Sequence, residues 1–290
     1  ADSGNLQLAY INEQTTLDSL AITRGKFTIT DSDGKSATVD LTQGNVILKH
    51  YKVAPLYPVE HSVCPHDIYD WWIDRYGDNL DAFWPVAHTE IGSMGIMMAN
   101  EGSYPENARA LALNGAEIVY RASIPHPAAS NEYFEISTRA RALDNNFYVV
   151  APNMGTYFLT QDDETPVDTF GGQSMIVDYR GQKVGRQEYG GVSTSVCGPI
   201  NIEAMRHHRE ASLWTNWMKD LRTELYQTVY REPIYPKNLY LDREPMRHQE
   251  YEESVIKNIR AGMGEHESNL EAYKTCLGSV PFLLLRVFLC

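Results

Sequence analysis

The stretch Gly95-Ile-Met-Met-Ala-Asn-Glu-Gly-Ser-Tyr-Pro-Glu106 permits few local structures. A short apolar run, Ile96 to Ala99, breaks into a polar turn and then reaches Pro105. The run suits a strand covered on both faces and is also compatible with a short buried helix. Gly102 supplies the turn, and Pro105 suits a first helical position, where its missing N–H has no partner to lose. The stretch therefore reads as strand, elbow, helix, with Ala99 at the elbow. A side chain held there stands at the rim of a core with backbone N–H groups nearby, a useful place for an acyl-transfer nucleophile. Alanine has no atom with which to attack.

The surrounding pattern is layered. Pro65 to Tyr76 places Ile68, Trp71, Trp72 and Tyr76 on one helical face, with Gly77 as a stop. A helix from Pro105 carries Ala108, Leu111 and Ala112 inward and ends by Gly115; Glu117 to Arg121 reads as strand. Ser130 or Asn131 can cap a helix to about Asn145, followed by a strand from Phe147 to Ala151. A hairpin spans Ser174 to Arg186, a strand lies near Val192 to Val196, and a helix covers Asn201 to Arg209. Alternation of this kind predicts an α/β domain. Upstream, Ala37 to Lys52 reads as a hairpin around Gly44-Asn45, and Val53 to Glu60, with two prolines, as an extended loop. Downstream, residues 210–232 read as an amphipathic helix and Arg231 to Pro245 as a Pro- and Tyr-rich arm that wraps a neighbouring surface.

Charge narrows the functional classes. A formal charge of −13 and a pI near 5.1 argue against nucleic acid and against an anionic membrane surface, because both need clustered Lys and Arg. The longest apolar run, Val280 to Cys290, falls far short of the ~20 residues that span a bilayer, and the first residues lack the pattern of a signal peptide. Cys64, Cys197, Cys276 and Cys290 lie far apart, which suggests a cytoplasmic, reducing setting rather than a disulfide framework. His61, Cys64 and His66 are close in sequence, but a fourth ligand is missing and Pro65 splays them, so no metal and no cofactor is expected.

The block around Ala99 resembles the nitrilase or carbon-nitrogen hydrolase superfamily, and within it the aliphatic amidase and formamidase branch. Met98-Ala-Asn-Glu-Gly-Ser-Tyr-Pro-Glu106 matches that family's nucleophile motif at Glu101, Gly102, Tyr104, Pro105 and Glu106, with Ala99 in the cysteine's place. Ala108 to Val119 looks like the segment that follows it. Ile47-Leu-Lys-His-Tyr-Lys52 is similar to the lysine motif, Arg139 to Val150 to a later Arg-Ala segment, and Gly171 to Gly181 to a late Gly-x-Ser hairpin.

The resemblance implies a four-layer α-β-β-α sandwich over residues 37–209, after a divergent or shortened N-terminal segment at 1–36. Residues 210–290 would be a C-terminal helix and arm that wraps a homo-oligomer. It also implies site roles: Lys52 as cationic stabiliser, Glu60 as the second, proton-transferring or positioning glutamate, the backbone N–H of Asn100 as oxyanion donor, and Ala99 at the position of the missing nucleophile. The substrate would be a small amide or related compound. The family's first catalytic glutamate has no recognisable counterpart, Glu13 being the sole glutamate upstream of Lys52 and in a different context. The chain so read is an inactive but ligand-binding hydrolase, the alternative being a natural pseudoenzyme that acts as a binding or scaffold protein.

Overall fold

The computed structural model describes residues 26–30, 36–40, 46–56, 60, 62–123, 132–157, 168–188, 195–247, 249–250, 253–254 and 257. In order these form β1 (Lys26–Thr30), β2 (Ser36–Asp40), a 3-10 turn (Pro65–Ile68), α1 (Tyr69–Tyr76), α2 (Leu80–Phe83), β3 (Val86–Thr89) and β4 (Gly92–Ile96). A second 3-10 turn (Ala99–Ser103) leads to α3 (Pro105–Leu113), β5 (Ile118–Tyr120), α4 (Tyr133–Asn145) and β6 (Tyr148–Ala151). Then come β7 (Thr156–Tyr157), β8 (Asp168–Thr169), β9 (Met175–Val177), β10 (Lys183–Arg186) and α5 (Ile202–Ala211). A third 3-10 turn (Trp217–Asp220) precedes α6 (Thr223–Tyr226).

The result is a mixed α/β fold centred on a six-stranded sheet, ordered β10-β9-β6-β5-β4-β3. Strands β4, β5 and β6 run parallel because α3 and α4 carry the chain back between them, and antiparallel strands close both sides. Side-chain alternation sorts the two faces. Val119, Val149 and Val177 are in register across three strands and pack with Leu111 of α3 and Phe134 of α4 in one core. Their neighbours Ile118, Tyr148 and Ile176 turn to the other face, where Ile200, just before α5, and Met205 of α5 cover part of them. The rest of that face is a shallow apolar groove of about 200 Å³, bordered by Met94, Tyr120, Val150 and Val196.

Polar contacts fix the layers. Glu135 of α4 pairs with Lys183 at 2.8 Å and Arg186 at 3.1 Å on β10, and Glu117 before β5 pairs with Arg206 of α5 at 2.6 Å. In Glu117, burial raises the carboxyl's pKa, but the Arg206 hydrogen bond, the Ser93 N–H and the nearby arginines outweigh it and hold the group below its ordinary value.

Three expectations change. β2 pairs antiparallel with β1, Phe27 facing Val39, and residues 46–56 carry no strand, so the hairpin of 37–52 does not form; its turn, Gly44-Asn45, lies outside the described residues. The helix expected over 210–232 is broken: α5 ends at Ala211, and only short turns follow, leaving Leu213, Trp214, Val229 and Tyr230 exposed. Apolar spacing alone did not provide a surface for that helix to pack on. The strand placed at Ile96 to Ala99 sits earlier, at Gly92–Ile96, so the elbow residues form the turn itself.

The helices at Pro65 to Tyr76, from Pro105, to Asn145 and at Asn201 to Arg209, and the hairpin of β9 and β10, stand where the sequence places them. The cap candidates Ser130 and Asn131, and most of the strand near Val192, lie outside the described residues. The arm lies along its own chain: the N–H groups of Asn238 and Tyr240 donate to the carbonyls of His66 and Asp67 at 3.0 and 2.9 Å, and Lys237 pairs with Asp70 at 2.8 Å. Among the described residues no helix is long and apolar enough to cross a membrane.

Candidate active site

The elbow is visible in the backbone. Ala99 has φ +48, a left-handed conformation that non-glycine residues adopt rarely and that concentrates at functional turns. Its N–H donates to the carbonyl of Ala122 at 2.8 Å, extending the parallel pairing of β4 with β5 beyond the last strand residue. The chain then coils through Ala99–Ser103 and enters α3 at Pro105. The second residue of that coil, Asn100, contributes an early amide of a helical turn, a position with no intrahelical acceptor. Its side chain donates from Nδ2 to the carbonyl of Ala54 at 2.8 Å.

Glu101 binds the elbow to the lysine segment. Its carboxylate is fully buried and accepts from the N–H of Met98 at 2.6 Å, the N–H of Val53 at 2.7 Å and Nε2–H of His50 at 2.8 Å. Its carbonyl accepts from Nδ2 of Asn107 at 3.1 Å, and Asn107 Oδ1 accepts from the Trp84 indole at 2.9 Å. Segment 50–54 is thereby fastened to the turn at three points without belonging to the sheet. In the sequence Glu101 stands out only as a motif match; the signal for its role is its place three residues after Met98, where an acidic side chain reaches back to a turn's first amides.

Lys52 lies within that fastened segment. Its ammonium donates to both carboxylate oxygens of Glu60 at 2.6 Å, and Oε2 of Glu60 also accepts the N–H of Leu56 at 2.7 Å. Both side chains are partly screened from water, 20% and 34% exposed, so the pair is more than a solvated surface contact. Partial burial raises the Glu60 carboxyl's pKa, while the Lys52 hydrogen bond, the Leu56 N–H and the Lys52 charge together hold it below the ordinary value. The two residues named from the sequence are therefore direct partners.

Behind the elbow stands Arg121, in the sequence no more than the end of the strand from Glu117. It is fully buried, and its Nε–H donates to the carbonyl of Ala99 at 3.2 Å. An arginine inside an otherwise apolar strand end was the usable signal, since such residues are seldom fully buried without a partner. Gly102 is needed here: a Cβ on it would come within 2.1 Å of Arg121 Nε.

Cys64 is not set up as a nucleophile. It is buried, and burial followed by the charge of Asp67 pushes its thiol up to about 12. Among the described residues no three His, Cys, Asp or Glu side chains converge as a metal would require, and His61 lies outside those residues. Trp72 is packed inside with its indole N–H on the carbonyl of Ala82 at 3.0 Å, whereas Trp71 is half exposed.

Residues 35–195 match the family model described as carbon-nitrogen hydrolase, more than half of the chain. A probable nitrilase of Schizosaccharomyces pombe is 35% identical over 69 residues, which cover 24% of this chain and 25% of that protein. Among solved structures, a carbon-nitrogen hydrolase from Helicobacter pylori G27 is 23% identical over 50% of this chain and 51% of its own, with a TM-score of 0.40. An amidase from Nesterenkonia sp. is 18% identical over 75% and 74%, with a TM-score of 0.46. The chain thus spans about a quarter of the curated relative it matches and about half of the Helicobacter protein.

Proposed function

We propose that this chain, which belongs to the carbon-nitrogen hydrolase family, carries the framework of an amidase-type site for a small C–N compound and, with Ala99 at the elbow, binds such a ligand without turning it over. The observation that carries this reading is the fastening of the Lys52–Glu60 pair to a left-handed elbow through Glu101. A cation–carboxylate pair on a segment fastened to a turn with early amides suits a carbonyl whose oxygen gains negative charge.

In the active form of such a site a thiolate at position 99 attacks the amide carbon, and the carbonyl electrons move to oxygen. Lys52 and the N–H of Asn100 stabilise that charge. The C–N bond then breaks, the amine leaves with a proton, and water releases the acid from the thioester, a glutamate carrying the protons. Removing the covalent nucleophile from a hydrolase costs on the order of 10⁶ in turnover. Binding survives because none of the other groups depends on the thiol. The branch is the aliphatic amidase or formamidase type, on the match of Glu60 and of the elbow motif.

A second reading, a natural pseudoenzyme that keeps the pocket for binding or the assembly for scaffolding, has one observation in its favour. No glutamate in a family-like context stands upstream of Lys52, Glu13 being the only one there. Assembly as a homo-oligomer belongs to either reading.

Ligand binding tests the proposal on the chain as it stands. Thermal unfolding with increasing acetamide or acetate should show a saturating rise in midpoint that Lys52→Gln removes. An unchanged midpoint with both compounds, in a cooperatively folding protein, contradicts it.

A further inference from the structure

Arg121 is built into the elbow in a way that the Lys52–Glu60 chemistry does not use. Besides the carbonyl of Ala99, its guanidinium donates from Nη1 to Thr138 Oγ1 at 2.6 Å, Ser137 Oγ at 2.9 Å and the carbonyl of Phe134 at 3.4 Å. It lies over the Phe134 ring at 4.9 Å, and the hydroxyl of Tyr133 also faces it. Among the described residues no carboxylate pairs with it. Burial pushes its pKa down to about 10, which Tyr133 partly opposes and Arg141 reinforces, so it remains protonated at neutral pH. A desolvated cation with neutral partners acts most strongly on whatever charge forms beside it.

What lies beside it is residue 99. The N–H of that residue is held by the carbonyl of Ala122 and its own carbonyl by Arg121, so two consecutive residues pin both ends of the strained unit. We propose that Arg121 is a positioning residue for the nucleophile position, holding residue 99 in its left-handed conformation and keeping a thiol placed there in its thiolate form. The proposal rests on the reading of position 99 as the nucleophile's. The other charged or titratable groups around the elbow are His50 and Lys52 on the fastened segment, Glu60, Glu101 on the turn, and Tyr133 and Arg141 on α4. Lys52 favours the thiolate, and Glu101 opposes it.

The test uses Ala99→Cys and the pH dependence of its alkylation by iodoacetamide, with the labelled peptide identified by mass spectrometry. The introduced thiol is expected to titrate at least about one unit below the ordinary value near 8.5. Adding Arg121→Gln should raise that pKa by about one unit, and Arg121→Lys should restore most of the decrease, which a loss of packing alone would not do. Equal pKa values with and without Arg121→Gln, in variants with the same near-UV circular dichroism, overturn the proposal. If Arg121→Gln does not fold, Ala99→Cys combined with Lys52→Gln decides. A pKa still below about 8.5 supports Arg121, the cation that meets residue 99 directly, and a value at or above about 8.5 refutes it. Alkylation needs no substrate. A low pKa without amide turnover therefore counts against the amidase reading alone, and turnover with an ordinary pKa counts against Arg121 alone.

Discussion

The buried carboxylate of Glu101 accepts the backbone N–H of Val53 at 2.7 Å, and this bond places the residue after Lys52 against the turn that begins at Ala99. The same carboxylate holds His50 and the N–H of Met98, so one side chain joins two stretches about fifty residues apart. The lysine segment owes its position to this junction, because residues 46–56 form no strand.

Glu101→Ala should therefore destabilise the fold by about 3–5 kcal/mol, since it leaves three donors in a buried setting without an acceptor. Glu101→Gln keeps one acceptor oxygen and should cost less. Urea unfolding of the three proteins checks the order. A loss below about 1 kcal/mol for Glu101→Ala contradicts the junction's role.

The Glu60 carboxyl titrates below its ordinary value in the folded chain, so its contribution to stability has a defined sign. A depressed carboxylate pKa stabilises the fold above the unfolded value, near 4.3, and that contribution disappears as pH falls through the lower folded pKa. The stability difference between the parent and Glu60→Gln should be constant from about pH 6 to 8 and vanish on acidification below about pH 4. Denaturant midpoints measured across that range check it; a difference that grows on acidification contradicts it.

Gly102→Ala should cost about 1–3 kcal/mol or displace the guanidinium, because the added Cβ would sit 2.1 Å from Arg121 Nε and 2.4 Å from Cζ. Unfolding measurements give the magnitude. Unchanged stability would show that Arg121 is loosely held.

Thiol mapping separates two of the cysteines. Cys64 is buried with its thiol pushed up to about 12, whereas Cys197 is exposed. Brief treatment with a thiol reagent at pH 8 should label the Cys197 peptide and leave the Cys64 peptide unmodified until the protein is unfolded. Rapid labelling of Cys64 in the folded protein contradicts its burial.

The parts of this fold legible in the sequence are those with local causes. Pro105 and Gly115 bracket α3, the alternation through Ile118, Val119 and Tyr120 gives a strand with two different faces, and the Ala99 elbow follows from an apolar run meeting Gly102 and Pro105. The Lys52–Glu60 pair was accessible only through resemblance, since a lysine and a glutamate eight residues apart on an irregular loop give no periodic signal. The roles of Glu101 and Arg121 depend on contacts between segments distant in sequence. Leu213 and Trp214, beyond the end of α5, and Leu225, in the four-residue α6, carry helical spacing, yet the structure leaves them exposed.

We propose at the elbow a site in which Lys52, Glu60 and the N–H of Asn100 are present and the attacking atom is not. Ammonia release from short aliphatic amides, compared between the parent chain and Ala99→Cys, tests it most directly. The account predicts a silent parent, measurable turnover in Ala99→Cys, and loss of that turnover when Lys52→Gln is added. A well-folded Ala99→Cys variant that releases no ammonia from amides or nitriles would contradict it.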